Sequence, residues 1–189
     1  MSITNPDLKS KFVDYLNEIL SAENAAIDRL QTRIQETPIQ EAKQRLQQHL
    51  QETRGQQGRL EKLITDYDGS PTKSKADLPM LKPPTTSMMK DTLKNTVKSM
   101  TKGAENPTTE EMEIRNIKED AIIENAEIIA YKICSQLAGK LNAQDAISVC
   151  QQNTEEEVSM FNWIMTNTPS MLNQLWPKIE SSITTNSKL

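Results

Sequence analysis

The stretch KFVDYLNEILSAENAAIDRLQTRI, residues 11–34, decides the fold because its apolar side chains recur at steps of three and four. That spacing places them on one face of an α-helix, which must be buried against other elements. Upstream, Asn5-Pro6-Asp7 offers a capping side chain, a first-turn proline and an acid near the positive helix end. Downstream, Thr37-Pro38 is predicted to end the helix. The predicted inward face carries Phe12, Leu16, Ile19, Glu23, Ala26, Leu30 and Ile34.

Two more segments repeat this periodicity. A second helix is predicted up to the Asp-Gly-Ser-Pro break at residues 68–71, and a third begins at Thr108 or Thr109, just before two acids. The predicted inward faces carry Ala42, Leu46, His49, Thr53, Gln56, Leu60 and Leu63 in the second helix, and Ile114, Ile117, Ala121, Glu124, Ile128 and Tyr131 in the third.

A fourth helix follows a break at residues 139–145, and its inward face stays open because two stripes are equally apolar. One stripe contains Ala146, Val149, Asn153, Glu156, Met160 and Trp163, and the other contains Ile147, Cys150, Thr154, Glu157, Phe161 and Ile164. Thr168-Pro169-Ser170 is predicted to end this helix, since proline removes a helical hydrogen bond. Residues 170–183 are predicted to form a short C-terminal helix, interrupted at Trp176-Pro177.

The predicted organisation is a single domain over residues 1–189. It consists of a first helical hairpin (7–67), a crossover (69–108), a second helical hairpin (109–168) and a C-terminal extension (169–189). A structureless crossover of this length would be unusual, so a short amphipathic helix is predicted within residues 87–101. Two hairpins joined by one long crossover are the order of a ferritin-like antiparallel four-helix bundle, and the predicted fold class is therefore all-α.

Composition argues against several functional classes. The net charge is −4 and no basic cluster occurs, so we do not expect a nucleic-acid partner. No apolar run approaches the ~18 residues of a transmembrane helix, and the N-terminus lacks the apolar run of a secretory signal. We therefore expect a cytoplasmic protein with no membrane partner. Cys134 and Cys150 lie in helical patterns and are interpreted as small core residues in a reducing compartment.

Carboxylates fall at positions where a core is predicted. Glu23 and Glu52 are 29 residues apart, and their midpoint is the predicted turn at residues 37–38. Glu127 and Glu156 are also 29 residues apart, with their midpoint at residues 141–142, again in a predicted turn. Residues equidistant from a tight antiparallel turn lie at the same height. Each hairpin is thus predicted to contribute two glutamates at one depth, although positions on a solvent-facing flank are the alternative.

Four carboxylates around a dry bundle axis repel one another unless cations are present. Two metal ions would offset this charge, and oxygen-rich ligands suit iron or manganese without excluding magnesium. His49, the only histidine, lies one turn before Glu52, and Glu124 lies one turn before Glu127. Tyr131 either bonds to a carboxylate or fills the core. The candidate metal ligands are Glu23, His49, Glu52, Glu124, Glu127 and Glu156.

Five segments in the two hairpins form a recognisable pattern: FVDYLNEILSAE (12–23), HLQETRGQ (49–56), RLEKL (59–63), ENAEIIAY (124–131) and NTEEEVS (153–159). In these segments the chain resembles the YciE/YciF-like family of ferritin-like stress proteins. The resemblance implies a ferritin-like bundle, a homodimer, and a dinuclear metal site with ligand roles for Glu23, Glu52, Glu127 and Glu156, next to His49 and Glu124. Asn125 stands where the family's third helix carries a histidine, so the site would be dominated by oxygen ligands.

Two functional hypotheses follow. In the first, the protein binds two metal ions, iron foremost, and acts as a ferroxidase or a peroxide-consuming stress protein. In the second, it is a non-enzymatic stress-response or scaffold bundle whose polar core is vestigial or metal-free. Whether the chain is an enzyme stays open. An adaptor role through the methionines of the crossover and the tail is a third, less specific reading. No phosphate-binding glycine loop, dinucleotide fingerprint or nucleophile-elbow motif occurs in the sequence.

Overall fold

The computed structural model describes residues 5–77 and 107–186, which form four long α-helices. They are α1 (Pro6–Glu36), α2 (Gln40–Asp66), α3 (Thr109–Lys140) and α4 (Gln144–Asn186). The described residues contain no strand, so the all-α prediction is confirmed. The predicted pair of helical hairpins, with a long connection between the second and third helices, is the arrangement observed.

Neighbouring helices in this bundle run antiparallel. Arg33, late in α1, pairs with Glu113, early in α3, whereas the earlier Glu23 meets the later Tyr131. Each hairpin also brings its two helices together, and α2 packs against α4 on the opposite side of the bundle. The four helices therefore enclose one interior to which each contributes a face.

The predicted helix starts are confirmed by their caps. Asn5 precedes α1, and its side-chain oxygen accepts hydrogen bonds from the backbone N–H groups of Asp7 and Leu8, at 2.9 and 3.2 Å. Thr108 and Glu111 form a reciprocal capping box at the start of α3. The first turns of α1 and α3 thus have partners for N–H groups that the helix itself cannot satisfy.

The predictions that the fourth helix ends at Thr168 and that a separate short helix follows were wrong. Helix α4 continues through Pro169 and Pro177 to Asn186. The side chains of Asn167 and Thr168 donate hydrogen bonds to the carbonyl oxygens of Trp163 and Ile164, at 2.8 and 2.7 Å. These bonds engage carbonyls in the turn before Pro169. Beyond the proline, the buried side chains of Met171, Leu175 and Ile179 hold the helix against the bundle.

The inward face of α4 takes residues from both stripes that the sequence left open. The buried positions along this part of the helix are Ala146, Cys150, Asn153, Glu157, Met160 and Ile164. They alternate between the two stripes at steps of three and four, which is the spacing of a face that tracks a neighbouring helix over several turns.

After α2, the described part of the crossover lies along α1. Asn17 accepts from the backbone N–H of Thr72 at 2.7 Å, and the backbone N–H of Ala76 donates to the Ser21 carbonyl at 2.8 Å. The short helix predicted within residues 87–101 lies outside the described residues.

Two apolar clusters form the core, one toward each end of the bundle. The first contains Phe12, Leu16, Leu60, Tyr131, Cys134 and Cys150, and the second contains Leu30, Leu46, Ile117, Met160 and Ile164, each with further members. Between them lies a layer of buried polar side chains. Within residues 5–77 and 107–186, no helix combines the length and apolar character needed to cross a membrane.

Candidate metal centre

The polar layer receives at least one buried ionisable side chain from every helix. Helix α1 contributes Glu23, α2 contributes His49, α3 contributes Glu124 and Glu127, and α4 contributes Glu157, and each of these residues is at most 5% exposed. Each lies on the inward face of its helix, in line with apolar neighbours one turn away. Helix packing on both sides therefore fixes these groups in an interior that shields them from water.

The closest approach joins three helices around His49. Its Nε2 atom lies 3.1 Å from Glu124 Oε2 and 3.5 Å from Glu157 Oε2. One ligand atom from each of these three residues lies within 4.8 Å of the other two. One imidazole nitrogen and two carboxylate oxygens at this spacing can surround a metal ion.

Glu52 holds the other side of the imidazole. Its Oε2 atom lies 3.0 Å from His49 Nδ1, and the same carboxylate accepts hydrogen bonds from Arg45 at 3.0 Å and Gln48 at 2.8 Å. A carboxylate on Nδ1 favours the proton at that nitrogen, so that a neutral imidazole presents the lone pair of Nε2 to the interior. Glu52 lies at the margin of the layer, with 20% of its side chain exposed.

Two carboxylates in the layer are each held through one oxygen. The Tyr131 hydroxyl donates a hydrogen bond to Glu23 Oε1, and the Gln56 amide donates to Glu157 Oε1. Tyr131 is also fully buried, so it both bonds a carboxylate and fills the core, the two roles that the sequence posed as alternatives.

Other carboxylate oxygens of the layer are available as metal ligands because they have no hydrogen-bond partner among the described residues. Among the described residues, Glu23 Oε2, Glu124 Oε2, Glu127 Oε1 and Glu157 Oε2 are buried and have no hydrogen-bond partner. The Glu124 and Glu157 atoms are close to His49 Nε2 but are not aligned with it as hydrogen bonds. An unpartnered buried polar group costs about 1–3 kcal/mol, and more when it is charged. This donor set therefore fits cations bound among the four helices.

Without a cation, the same layer retains protons. Burial raises the pKa of Glu23 to about 7, against opposing effects of the Tyr131 hydrogen bond and His49. Burial, with the charge of Glu23 as the next cause, raises the pKa of Glu127 well above its usual value. Burial and the charge of Glu127 likewise raise that of Glu157. The carboxyl groups of the layer are thus held back from ionising together.

His49 and Glu52 titrate as an ion pair. Burial is the largest single effect and disfavours the imidazolium, but the carboxylates of Glu124, Glu52 and Glu127 together outweigh it, and the pKa of His49 rises to about 10. Burial likewise acts against the Glu52 carboxylate, but hydrogen bonds from His49 and Arg45 prevail and its pKa falls to about 2. In the metal-free protein His49 therefore acts as the internal cation of the layer.

The structure brings together four of the six candidate ligands inside the layer and places two elsewhere. Glu23, His49, Glu124 and Glu127 are buried there, and Glu52 contacts His49 from the margin. Glu156 lies outside, where it accepts a hydrogen bond from Arg59, and 23% of its side chain is exposed. The inward position on α4 belongs to its neighbour Glu157.

Sequence reasoning therefore missed Glu157 as a candidate ligand, although a signal for it was present. Glu157 belongs to the second apolar stripe of α4, and Glu127 and Glu157 have their midpoint at Asn142, in the α3–α4 turn. The spacing argument chose Glu156 because it gave both hairpins the same separation of 29 residues between their glutamates. A difference of one residue corresponds to about 100° of helix rotation, which separates the interior from the flank.

Comparisons with known proteins agree with this architecture. The sequence model of the family described as "Domain of unknown function (DUF892)" matches residues 7–175. The crystal structure of a protein from Xanthomonas campestris pv. campestris is similar, with a TM-score of 0.69 and 15% sequence identity, over 92% of this chain and 99% of that one. At this identity the similarity shows a shared fold. Among curated proteins, none matches the chain.

Proposed function

The chain belongs to the DUF892 family, and on that premise we propose that it is a ferritin-like protein whose polar layer binds two metal ions. Iron is the first candidate, with manganese and magnesium as alternatives. The observation that carries the proposal is the set of buried carboxylate oxygens from α1, α3 and α4 that have no partner among the described residues. Four ionised carboxylates and two divalent cations together have no net charge, so metal binding removes the repulsion within the layer.

The proposed ligands divide by chemistry. Glu23, Glu124, Glu127 and Glu157 supply oxygen atoms, and His49 supplies Nε2 as the one nitrogen. This oxygen-rich set suits hard divalent ions, and the single imidazole favours iron or manganese over magnesium. Glu52 acts as a positioning residue in this proposal, because it orients His49 from outside the layer.

The activity we propose is oxidation of Fe(II) with oxygen or peroxide as the electron acceptor. Bound iron would supply the two-electron redox chemistry. The protein's own contribution is structural: Tyr131 orients Glu23, Gln56 orients Glu157, and the two apolar clusters limit the access of water from above and below. Fixed donors in a dry interior need little rearrangement when the charge of a bound ion changes.

A metal-free bundle is the second candidate function, and one observation favours it. Tyr131 and Gln56 already satisfy one oxygen each of Glu23 and Glu157, and the raised pKa values of the layer allow its carboxyl groups to stay protonated. In that case the layer would fix the register of the helices in a stress-response or scaffold protein and would not bind metal.

Metal loading followed by an oxidation assay separates these functions. Protein freed of metal by a chelator is titrated with Mn(II) or, without oxygen, with Fe(II), and the bound metal is counted after gel filtration. Two ions per chain, followed by oxidation of Fe(II) when oxygen or peroxide is added, is the result expected of the oxidase. Stoichiometric binding without oxidation would restrict the function to metal binding. If no metal binds, the scaffold function is the one supported.

We further propose a cytoplasmic homodimer. The outer side of α3 carries Ile122, Ile129 and Ile133, which are 44%, 48% and 56% exposed and lie at helical spacing on one side. A second copy of the chain is the partner that the YciF-like resemblance implies. Light scattering on the full chain tests this: an Ile129→Lys variant should shift the mass toward the monomer if this surface forms the dimer.

A further inference from the structure

Cys134 and Cys150 face each other across the α3–α4 hairpin. Each lies eight residues from Asn142, the residue with φ 56° in the turn. The same register pairs Ala138 with Ala146 one turn closer to the loop, and all four of these side chains are at most 1% exposed. One turn farther from the loop, Asn153 of α4 interacts with the Tyr131 hydroxyl of α3. The hairpin thus places the cysteines at one height.

The two thiols are in contact and belong to the same apolar cluster. The side chain of Cys134 interacts directly with that of Cys150, and neither cysteine is in a disulfide. The alanine pair next to them allows α3 and α4 to approach closely, and a disulfide requires Cα atoms within about 7 Å. Opposed small residues on adjacent helices meet this condition more readily than opposed large ones.

A groove leads from the surface to Cys134. It lies between α1 and α3, has a volume of about 400 Å³ and is lined mainly by apolar side chains, with Cys134 on its wall. Tyr15, which is 39% exposed, stands where the groove opens to solvent, and Ile133 on the opposite wall belongs to the α3 surface proposed above for the dimer. Because Cys134 is 1% exposed, hydrogen peroxide in the groove reaches its sulfur when the side chains of this wall separate, and Cys150 does not line the groove.

We propose that Cys134 and Cys150 form an intramolecular dithiol–disulfide couple that hydrogen peroxide oxidises. The Cys134 sulfur attacks one oxygen of peroxide, the O–O bond breaks, and a sulfenic acid and one water result. The Cys150 sulfur then attacks the sulfenic sulfur, the S–S bond forms and the S–O bond breaks, which releases a second water. In total, two thiols and one peroxide give one disulfide and two waters. The couple needs no metal, although Glu127 of the proposed metal site also lines the groove.

The surroundings of the two thiols set the rate at which peroxide oxidises them. A hydrogen bond with Cys150, together with burial, raises the pKa of Cys134 well above its usual value. Little thiolate is then present at neutral pH, so the reaction is slow. The couple therefore responds to sustained exposure to peroxide and not to a brief pulse. In a reducing compartment the same disulfide would be reversed by small thiols.

The consequence of oxidation falls on the helix that carries the polar layer. Cys134 is one turn from Tyr131, whose hydroxyl holds Glu23. A bond between α3 and α4 at this height restrains the unfolded chain and stabilises the hairpin beneath the layer.

Peroxide treatment of the full-length native protein tests the couple. The protein is incubated with hydrogen peroxide, catalase is added, and free thiols are counted by alkylation in denaturant, with intact mass measured in parallel. The expected product is a chain that is not cross-linked to another chain, has no thiol left to alkylate, and is lighter by two hydrogen atoms. Dithiothreitol should restore both thiols. Persistence of both thiols, or disulfides only between chains, would overturn the proposal.

Three variants locate the reaction. Cys150→Ala keeps the proposed attacking thiol and should gain one oxygen atom in mass as a sulfenic acid, whereas Cys134→Ala should keep its remaining thiol. Equal reaction of the two variants with peroxide would contradict the proposed order of attack. Ala126→Leu adds bulk to an exposed wall of the groove and leaves both cysteines in place. It should slow disulfide formation severalfold with no change in melting temperature, whereas an unchanged rate would overturn the groove as the route of entry.

Discussion

The Gln56 amide on α2 donates a hydrogen bond to one oxygen of Glu157 on α4, and the other oxygen of Glu157 has no hydrogen-bond partner among the described residues. Glu23 shows the same division, with Tyr131 on one oxygen and none on the other. A carboxylate fixed in this way has a defined direction and an unused lone pair. Repetition of the arrangement on opposite sides of the interior is what distinguishes this layer from a self-satisfied polar core.

The first prediction compares adjacent glutamates on α4. Glu157→Gln should lower the number of bound metal ions or weaken their affinity by at least tenfold, because it removes a charged oxygen ligand from the interior. Glu156→Gln is the matched control, since Glu156 lies on the flank with Arg59. Metal content after equilibrium dialysis measures both. Equal losses in the two variants, or none in Glu157→Gln, would contradict the assignment.

The second prediction concerns the positioning of His49. Glu52→Gln removes the carboxylate on Nδ1 and should weaken metal affinity by about 10- to 100-fold. It should also change the nitrogen couplings measured by pulsed electron paramagnetic resonance on the Mn(II)-loaded protein. Glu61→Gln, on the same helix and paired with the exposed Lys73, should change neither. A Glu52→Gln protein with unaltered couplings would show that Glu52 does not orient the imidazole.

The third prediction is a pH dependence of the metal-free protein. The pKa of Glu23 rises from 4.5 to about 7 on folding, so its contribution to stability is present below pH 4.5 and is lost as the pH rises to about 7. The pKa of His49 rises from 6.5 to about 10, and its contribution is lost across that window. Both groups make the folded state bind more protons than the unfolded state.

The free energy of unfolding of the metal-free protein should therefore fall from about pH 5 to pH 9, as measured by urea denaturation with a chelator present. Glu52, whose pKa falls to about 2, acts in the opposite direction only below about pH 4.5. With Mn(II) bound, deprotonated ligands are required, so the stabilisation by metal should grow as the pH rises. Stability of the metal-free protein that increases between pH 5 and pH 9 would refute this reading of the layer.

The fourth prediction addresses a buried ion-pair cluster between α1 and α3 that lies outside the proposed set of metal ligands. Arg33 on α1 is 2% exposed and bonds Glu113 at 2.9 and 3.0 Å and Asp120 at 2.9 Å, both on α3. Arg33→Met should lower the free energy of unfolding by about 3–5 kcal/mol, because it leaves the buried Glu113 carboxylate without a cation, while Asp120 keeps its pair with Arg29. Lys11→Met, from an exposed pair, should change it by less than about 1 kcal/mol. A small effect in Arg33→Met would mean that its partners relax into solvent.

Helix periodicity and capping residues were sufficient to predict the bundle. Asn5, Thr37 and Thr108 mark helix ends through local hydrogen bonds or backbone preference, and such signals depend on few neighbours. The end of α4 was less predictable because Pro169 acts locally to stop a helix, whereas Met171 and Leu175 continue it by packing against the bundle. Tertiary burial outweighs the cost of one proline in this case.

The sequence predicted which helices contribute to the candidate site, but it did not predict the rotation of α4 about its axis. Glu23, His49 and Glu124 could be selected because polar residues interrupt apolar stripes there, and Glu127 because of its distance from the hairpin turn. The choice between Glu156 and Glu157 depended on how α4 rotates about its own axis, which its packing against α2 and α3 sets. The contact of Cys134 with Cys150 likewise required the register of the hairpin and was not apparent from composition.

The central claim is that metal ions bind between Glu23, Glu124, Glu127, Glu157 and His49, and anomalous X-ray scattering tests it most directly. Crystals of the full chain are loaded with Fe(II) without oxygen, and data are collected on both sides of the iron absorption edge. We predict two anomalous peaks in the bundle interior, within coordination distance of these carboxylates and of His49 Nε2. An interior without peaks, or peaks only at exposed surface carboxylates, would contradict the account.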